Sequence, residues 1–277
     1  MRLAGAKVAE QITEDLIDRC ERLKQMQPDL KIAIFRVGEN PDDIAYEKRV
    51  LKNCTKVGLG AEVISLEKEI TQEALLQKIS QYNQAASVSG ILVFRPLPKH
   101  LDEQGIGEII SPEKDIDCMN PRNLQKLLLG EKDRIAPCTP EAVMELIQYY
   151  GIALQGKHVA IVNRSMVLGK PLALLFLERN ATVTICHSKT ENLKEITAKA
   201  DIVVTGVGKA NYFGKEYFKK EAVVIDVGIN FTSEGMCGDV DYEAVKDYLT
   251  AITPVPGGVG AVTSMVLLRH ALQEVKR

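Results

Sequence analysis

The segment HVAIVNRSMVLGKP (158–171) decides the fold of the second half of the chain. An apolar run that ends at Asn163 predicts a buried strand, and the residues from Asn163 to Pro171 form a turn that opens a helix. Helical stretches separate the strands that are predicted next, in the runs TVTIC, DIVVTG, AVVIDV and a short AIT at 251–253. Strands that alternate with helices predict a mostly parallel sheet covered on both faces.

The first half of the chain shows the same alternation. Strands are predicted at KIAIFRV (31–37), AEVISL (61–66) and GILVF (90–94). Helices lie between them, and Gly58 is expected to end the first of these. The fold class that follows is α/β with two doubly wound domains, the second a Rossmann-type dinucleotide-binding domain.

The boundaries of the two domains follow from where the alternation restarts. A capped helix with a glycine at its end is predicted at 139–151, and a final helix from about Val262 to Lys276. We therefore expect a first domain at 1–139, completed by the C-terminal helix at 257–277, and a second domain at 140–256.

The bulk composition excludes several classes of protein. The formal net charge is -2 and the lysines are scattered among acids, which argues against a nucleic-acid binder. No apolar run approaches the roughly 20 residues of a membrane-spanning helix, and the N-terminus is unlike a secretory signal. The cysteines are widely spaced and do not cluster with histidines, so we expect no metal site and a cytoplasmic location.

The turn after Asn163 is a candidate dinucleotide site. A helix start presents free N–H groups and the positive end of the helix dipole, which favour a pyrophosphate. The turn departs from the G-x-G-x-x-G pattern, because Asn163 takes the place of the first glycine and Gly169 falls one residue late. An ordinary strand-to-helix turn is an equally weighted interpretation.

The residues after the next strand favour NADP over NAD. NAD-specific sites usually place an acid there, whereas here His187, Ser188 and Lys189 follow and Glu191 is the first acid. Polar and basic groups suit a 2′-phosphate, and Arg164 offers a second contact. A solvated loop is the alternative, and NAD remains open as the cofactor.

Several segments in register resemble one known family. Their order and spacing are similar to those of the bifunctional methylenetetrahydrofolate dehydrogenase/cyclohydrolase family, and the resemblance runs over nearly the whole chain. PCTP and PVPGGVG are its most specific parts. The matching segments are VGENPDDIAYEKRVLKNCTKVG (37–58), GILVFRPLP (90–98), SPEKDIDCMNP (111–121), PCTP (137–140), NRSMVLGKP (163–171), CHSKT (186–190), VIDVGIN (224–230), GDVD (238–241) and ITPVPGGVGAVT (252–263).

The resemblance implies a fold and a chemistry. It implies two doubly wound domains with a cleft between them, the first binding folate and the second NAD(P), and a homodimer. The dehydrogenase moves a hydride from 5,10-methylenetetrahydrofolate to the nicotinamide of NADP or NAD. The cyclohydrolase then adds water to the methenyl cation and gives 10-formyltetrahydrofolate.

The resemblance also implies the site residues. Tyr46 stacks on the folate and Asp117 holds its pterin ring, so these two are the expected catalytic residues. The expected substrate-binding set is Tyr46, Val50, Val93, Phe94, Arg95, Asp117, Pro256, Gly257, Gly258 and Val259. The expected cofactor-binding set is Asn163, Arg164, Ser165, Gly169, His187, Ser188, Gly206, Gly208 and Ile229.

The chain departs from the family in the folate pocket. The family places a lysine one helical turn after the tyrosine, but this chain has Val50 there, and an alkyl side chain transfers no proton. Arg49 is three residues after Tyr46 but stays protonated, so it is a poor substitute. Further departures are Phe94 at the family's glutamine, Arg95 at its leucine, Asp43 at its serine, Cys118 at its glycine and Ala261 at its proline.

These departures leave several functions open. The leading hypothesis is an NADP-linked dehydrogenase with weak or absent cyclohydrolase activity, since hydride transfer depends chiefly on alignment of donor and acceptor. Arg95 and Asp43 are hypothesised to supply new polar groups, to each other or to an altered substrate; ordinary drift is the alternative. The other functional hypotheses are a bifunctional enzyme with another proton carrier, a silent folate- or nucleotide-binding homologue, and a dehydrogenase of a different small substrate.

Overall fold

A computed structural model describes residues 1–233 and 235–273 of the chain. The chain divides into two compact units. We call Gln11–Ala136 with Ser264–Arg277 the N-terminal unit, and Met1–Glu10 with Pro137–Thr263 the C-terminal unit. None of the helices in the described ranges is long and apolar enough to cross a membrane.

The N-terminal unit is built on a parallel sheet in the strand order β2-β1-β3. The predicted strands are confirmed, and β1 has the predicted bounds. Its core includes Phe35, Leu75, Ile79, Ile91 and Ile106, all at most 1% exposed. Its elements are α1 (Gly5–Met26), which enters this unit at Gln11, and β1 (Lys31–Val37), α2 (Pro41–Val57), β2 (Gly60–Leu66), α3 (Gln72–Gln84), β3 (Val88–Val93), α4 (Glu103–Ile109) and α5 (Pro121–Leu129).

Helix α2 carries the expected tyrosine, and its two ends are fixed by local chemistry. The Asn40 side chain accepts a hydrogen bond from the Asp42 N–H, and Pro41 supplies a helical φ without an unsatisfied donor. At the other end Gly58 has a φ of 81°, a left-handed conformation that costs glycine little. The prediction that Gly58 ends this helix is confirmed.

The C-terminal unit holds a parallel sheet in the order β10-β7-β6-β4-β5 and a short antiparallel hairpin, β8-β9. Its elements are α6 (Cys138–Tyr149), β4 (His158–Val162), α7 (Gly169–Leu177), β5 (Thr182–Cys186), α8 (Leu193–Thr197), β6 (Ile202–Thr205), β7 (Val223–Asp226), β8 (Asn230–Thr232), β9 (Gly235–Cys237), α9 (Tyr242–Val245) and β10 (Ala251–Ile252). The last helix, α10 (Val259–Ala271), starts in this unit and continues into the N-terminal unit from Ser264. The chain runs from β4 outward to β5 and then back past β4 to β6. The strand order therefore reverses between β4 and β6, and ligands of open α/β sheets bind at such a switch point.

The first residues of the chain belong to the C-terminal unit. The Leu3 N–H donates to the Ile252 oxygen at 2.8 Å, and the Gly5 N–H donates to the Gly257 oxygen at 2.8 Å. These bonds extend the sheet at β10, which explains why residues 1–10 and 257–263 group with the C-terminal unit. The sequence placed both segments with the first domain.

Some helix boundaries differ from the predictions. Helix α6 begins at Cys138 and its N-cap, Pro137, makes no side-chain capping bond, so Thr139 lies inside the helix rather than capping it. Helix α10 begins at Val259, before the predicted Val262, and Lys276 lies outside the described residues. The hairpin β8-β9 and the helices α4 and α5 were not predicted, because each is too short to show a clear period.

Candidate active site and dinucleotide site

Tyr46 lies in an aromatic and cationic setting on α2. Its ring centroid is 5.5 Å from that of Phe94, and the two ring planes are tilted by 54°. The guanidinium carbon of Arg49 lies 4.9 Å from the Tyr46 centroid, within the range of a cation–π contact. Arg49 therefore contacts the tyrosine of the expected folate site from the next turn of the same helix.

Val50 and its apolar neighbours are core residues. The Val50 side chain is 1% exposed and shares the buried side of α2 with Cys54 and Val57. Phe94 is 5% exposed and Val93 is 2% exposed. The positions at which the family resemblance expects a lysine and a glutamine thus hold two buried apolar side chains.

Arg95 forms an ion pair with Asp117. The Nη2 atom of Arg95 donates to Oδ2 of Asp117 at 2.8 Å, and the two side chains are 27% and 29% exposed. The ion pair of Arg95 is thus made with the aspartate expected to hold the pterin, and not with Asp43. The reason is positional, because Arg95 follows β3 and the segment that contains Asp117 pairs with the same strand.

The backbone around Asp117 is held by buried polar groups. The Asp115 carboxylate is 1% exposed and accepts bonds from the N–H groups of Met119 and Asn120 at 2.8 and 2.7 Å. The Ile91 N–H donates to the Lys114 oxygen at 2.6 Å, and Nδ1 of His270 lies 2.9 Å from the Ile116 oxygen. Burial raises the pKa of Asp115. These bonds fix the main chain on both sides of Asp117.

Lys114 links the segment before Asp117 to the end of α3. Its Nζ atom donates to the main-chain oxygens of Tyr82, Asn83 and Ala85 at 3.2, 2.6 and 2.8 Å. These carbonyls lie at the C-terminal end of α3, where a positive charge is favourable. Burial lowers the pKa of Lys114. Lys114 therefore caps α3 rather than serving as a free amine.

Cys118 occupies a position suited to glycine. Its φ is 57°, in the left-handed region that costs a side chain with a Cβ atom about 1 to 2 kcal/mol. The thiol is 6% exposed. The resemblance places a glycine here, and the backbone geometry gives the physical reason for it.

A second ion pair, with Asp43 close to it, links β1 to α2. Arg36, on β1, donates from Nε to Oε2 of Glu47 at 2.8 Å, and these side chains are only 11% and 13% exposed. Asp43 is half-buried near them. Burial raises the pKa of Asp43, the charge of Asp42 raises it further, and Arg36 lowers it. Asp43 is three residues before Tyr46 and so shares its face of the helix.

The dinucleotide turn is closed by the Asn163 side chain. Its Oδ1 atom accepts from the N–H groups of Ser165 and Gly169 at 2.8 and 3.0 Å and from the Ser165 hydroxyl at 2.8 Å. The Leu168 N–H donates to the Ser165 hydroxyl at 3.2 Å, and the Lys170 N–H to the Ser165 oxygen at 3.1 Å. The prediction of free N–H groups at this helix start is therefore wrong for Leu168, Gly169 and Lys170, whose N–H groups bond within the turn.

Asn163 also spans the switch point of the sheet. Its Nδ2 atom, at the end of β4, donates to the Gly206 oxygen at the end of β6 across 2.6 Å. Gly169 lies so close to the main chain of Asn163 that an added Cβ atom would stand 1.9 Å from the Asn163 carbonyl oxygen. The turn therefore needs glycine at 169, one residue late in the pattern, and an amide at 163.

Arg164 and Ser188 are exposed at the ends of neighbouring strands. Val162 of β4 pairs with Cys186 of β5, and each of the two residues follows its strand by two positions. Within residues 1–233 and 235–273, neither side chain has a hydrogen-bonding partner. His187 accepts from the Lys189 N–H at Nδ1, 3.1 Å away, which orders this loop. The Arg164 guanidinium and the Ser188 hydroxyl are donors that fit a dinucleotide phosphate.

Two buried aspartates that sequence reasoning missed organise the loop after β6. Asp239 accepts from the N–H groups of Val207, Gly208 and Lys209, the last at 2.8 Å, and from Nδ2 of Asn230 at 2.9 Å. Gly208 has a φ of 68°, and an added Cβ there would meet no atom within 4 Å. Asp239 lies in the motif GDVD, which the family resemblance includes. The local sequence does not show, however, that three N–H donors from another loop bond to this carboxylate.

Asp226 is the second of these aspartates. It is 3% exposed and accepts from the N–H groups of Gly228 and Val240 at 3.0 and 2.9 Å, and from the Thr205 hydroxyl at 3.1 Å. Burial raises its pKa to about 6, although these donors lower it. An added Cβ on Gly238 would stand 1.9 Å from Oδ2 of Asp226, so this glycine permits the close approach.

The remaining expected residues lie in the C-terminal unit. Pro256 and Gly257 are exposed, whereas Gly258 and Val259 are buried at the start of α10. Gly257 has a φ of 97° with open space around it. Ile229 is 54% exposed, next to the hairpin β8-β9.

A cavity in the N-terminal unit lies apart from the expected residues. It has a volume of about 710 Å³ and is lined by Arg19, Arg22, Lys126 and Lys132 among others, but by none of the expected site residues. In the part of the chain that the structure describes, no group of three or more His, Cys, Asp or Glu side chains is placed to hold a metal ion.

Two family models match the chain. Residues 3–117 match the catalytic domain of tetrahydrofolate dehydrogenase/cyclohydrolase. Residues 137–277 match the NAD(P)-binding domain of the same family. The bifunctional protein FolD of Clostridium botulinum (strain Kyoto / Type A2) is 49% identical over 276 residues, which cover 99% of this chain and 98% of that protein.

Solved structures agree with the sequence comparison. The bifunctional enzyme FolD of Campylobacter jejuni is 38% identical with a TM-score of 0.96, covering 98% of this chain and 97% of that one. The Trypanosoma brucei methylenetetrahydrofolate dehydrogenase-cyclohydrolase, complexed with NADP cofactor and inhibitor, is 33% identical with a TM-score of 0.91, covering 98% and 96%. The fold class predicted from the sequence is confirmed. The chain belongs to the tetrahydrofolate dehydrogenase/cyclohydrolase family, with the catalytic and the NAD(P)-binding domain in one polypeptide.

Proposed function

We propose that the chain oxidises 5,10-methylenetetrahydrofolate to 5,10-methenyltetrahydrofolate, with hydride transfer to NADP, and hydrolyses the methenyl product weakly or not at all. The observation that carries the proposal is the burial of Val50, which is 1% exposed one helical turn after Tyr46. The resemblance expects a lysine there. An alkyl group in the core neither donates nor accepts a proton, so the hydration step lacks its acid–base group.

The oxidation step makes weaker demands on this position. Hydride transfer requires that the donor carbon and the nicotinamide be held close and aligned, and the bound dinucleotide supplies the hydride-accepting chemistry. In our proposal Tyr46 offers the folate an aromatic surface, and the buried Phe94 supports it, with the two ring centroids 5.5 Å apart. Asp117 offers the pterin a carboxylate whose backbone is fixed on both sides. These roles survive the loss of the lysine.

The choice of NADP rests on the ends of β4 and β5. Arg164 and Ser188 are exposed there, and no acid lies between Cys186 and Glu191 to repel a 2′-phosphate. The relative from Trypanosoma brucei binds NADP in its crystal structure. Asn163, Ser165, Gly169, Gly206 and Gly208 would line the dinucleotide, because they surround the switch point at which β4 and β6 end.

The two units divide the work in this proposal. The N-terminal unit binds the folate and the C-terminal unit binds the dinucleotide, as the family models at 3–117 and 137–277 support. The homodimer and the cytoplasmic location stay predictions. Gel filtration with light scattering tests the first, and fractionation of the source cell tests the second.

An assay with two readouts tests the proposal. Purified protein receives 5,10-methylenetetrahydrofolate and NADP, and the reduced dinucleotide and the methenyl product are followed separately. We expect one equivalent of methenyltetrahydrofolate to accumulate for each dinucleotide reduced. Reduction without accumulation would mean that hydration persists. Absence of reduction with NADP and with NAD would refute the dehydrogenase.

One observation favours a second candidate function. Asp43 is a half-buried carboxyl on the same face of α2 as Tyr46, and burial raises its pKa, as suits a general acid–base group. It could serve as the other proton carrier of a bifunctional enzyme. If hydration is observed, Asp43→Asn is expected to abolish it and to leave NADP reduction intact. Retained hydration in that variant would exclude Asp43 from this role.

A further inference from the structure

We propose that Arg95 is a specificity residue, which donates a hydrogen bond to the 4-oxo group of the pterin while Asp117 accepts from the ring and amino N–H groups beside it. This inference rests on the proposed folate function. The family resemblance leads to a leucine at this position, so Arg95 adds a donor that the family pattern does not include.

The Arg95–Asp117 pair leaves both side chains with unused capacity. A guanidinium carries five N–H donors, and one of them, on Nη2, bonds to Oδ2 of Asp117 at 2.8 Å. Among the described residues neither side chain has a further hydrogen bond. About a quarter of each side chain is exposed, at 27% for Arg95 and 29% for Asp117. A carboxylate oxygen and several N–H donors therefore remain available side by side.

Both members of the pair are attached to ordered backbone. Arg95 follows Phe94, whose N–H donates to the Phe35 oxygen at 3.0 Å and so continues the pairing of β3 with β1. Asp117 lies between Ile116, whose oxygen is bonded by His270, and the Asp115 network. The ion pair then fixes the side chains relative to each other. A pair held in this way recognises a ligand without first paying the entropy of ordering.

The edge of a pterin matches this arrangement. Its amino group and the neighbouring ring N–H are donors, which a carboxylate accepts, and the oxo group beside them is an acceptor, which a guanidinium N–H satisfies. A pteridine with an amino group at position 4 presents a donor to the donor of Arg95. That analogue leaves an N–H donor of Arg95 without an acceptor, which weakens binding.

Binding of two matched ligands tests the inference. Folic acid and 4-amino-4-deoxyfolic acid differ at position 4 and at the neighbouring ring nitrogen, which carries no hydrogen in the 4-amino compound. Their dissociation constants are measured by calorimetry in the presence of NADP. We expect the wild-type protein to prefer the 4-oxo compound by about tenfold or more. Arg95→Leu should show a several-fold smaller preference, because it removes the donor, whereas the part of the preference that arises from the ring N–H at Asp117 remains. Arg95→Lys should lose less than Arg95→Leu.

A control variant separates specificity from general damage. Arg49→Leu removes a cation that contacts Tyr46 but not Asp117, so it should change the affinity of both compounds by a similar factor. An unchanged dissociation constant for NADP shows that each variant is folded. With the substrate itself, Arg95→Leu should raise KM more than it lowers kcat, since the bond forms on binding.

The outcomes distinguish the inference from the function on which it rests. An equal preference in wild-type protein and Arg95→Leu would overturn the inference and leave the dehydrogenase intact. Absence of any preference in the wild-type protein would also overturn it. Binding of neither compound by wild-type protein that binds NADP would refute the folate function, and the inference with it.

Discussion

The side chain of Asn163 joins the ends of β4 and β6 at the point where the strand order reverses. Its Nδ2 atom donates to the Gly206 oxygen at 2.6 Å, and its Oδ1 atom accepts from the Gly169 N–H at 3.0 Å. Glycine, the residue that the G-x-G-x-x-G pattern has here, could make neither bond. The dinucleotide turn of this chain is thus shaped by a side-chain amide.

Removal of that amide should damage stability and cofactor binding together. We expect Asn163→Ala to lower the free energy of unfolding by about 2 kcal/mol, because it leaves several partly buried groups without partners. The NADP dissociation constant should rise by about tenfold as the turn loosens. Urea unfolding followed by circular dichroism and calorimetric NADP titration measure the two effects. Unchanged stability would show that the Asn163 bonds do not hold the turn.

Arg164 should decide between NADP and NAD without affecting stability. Because its side chain is exposed, we expect Arg164→Ala to change the free energy of unfolding by less than about 0.5 kcal/mol. The kcat/KM for NADP should fall about tenfold while that for NAD stays nearly constant, since only NADP carries the 2′-phosphate. Arg179→Ala, at the other end of α7, is the matched control. An equal loss with both dinucleotides would contradict a 2′-phosphate contact.

Asp226 should make the protein less stable as the pH rises. Its folded pKa of about 6 lies above its usual 3.8, so the folded state holds the proton more tightly than the unfolded state. The resulting stabilisation is complete below pH 3.8 and is lost as the pH rises through about 6. The shift of about 2 pKa units corresponds to about 3 kcal/mol.

The Asp226→Asn variant isolates this effect. It cannot titrate, so the stability of wild-type protein relative to the variant should fall by about 3 kcal/mol between pH 4 and 7. Asp201 provides a control of opposite sign, because the hydrogen bond from Lys219 lowers its pKa. Wild-type stability relative to Asp201→Asn should therefore fall as the pH drops below 3.8 and change little between pH 4 and 7. A constant difference for Asp226→Asn would exclude a raised pKa in the folded protein.

Cys118 should be a source of strain next to Asp117. We expect Cys118→Gly to be more stable than Cys118→Ala by about 1 kcal/mol, because both lose the thiol but only glycine relieves the φ of 57°. Thermal unfolding of the two variants measures the difference. Equal stability of the two variants would show that this conformation costs the side chain nothing.

The fold could largely be predicted because its signals are local. The apolar run at 31–37 and the glycine at 58 predicted β1 and the end of α2, and the structure confirms both. The start of α6 could not be predicted in this way, since Thr139 has a capping side chain but the helix already begins at Cys138. The contacts of residues 1–10 could not be predicted either, because they are bonds to residues near position 250 that no local pattern reveals.

The site was harder to predict, because it depends on contacts between distant segments. The family resemblance supplied Tyr46 and Asp117, and the departures at Val50 and Arg95 are visible in the sequence. That Val50 is a core residue and that Arg95 pairs with Asp117 follow only from the packing of α2 against the sheet and the pairing of β3 with residue 115. Asp239 was missed because its three N–H donors come from a loop some thirty residues earlier in the chain.

The most direct test of the account is the rate at which the purified protein hydrolyses 5,10-methenyltetrahydrofolate supplied without dinucleotide. The buried Val50 predicts a rate close to that of the buffer alone, from a preparation that reduces NADP with 5,10-methylenetetrahydrofolate. Hydrolysis well above the buffer rate, in proportion to protein concentration, would contradict the account and make the chain a bifunctional enzyme.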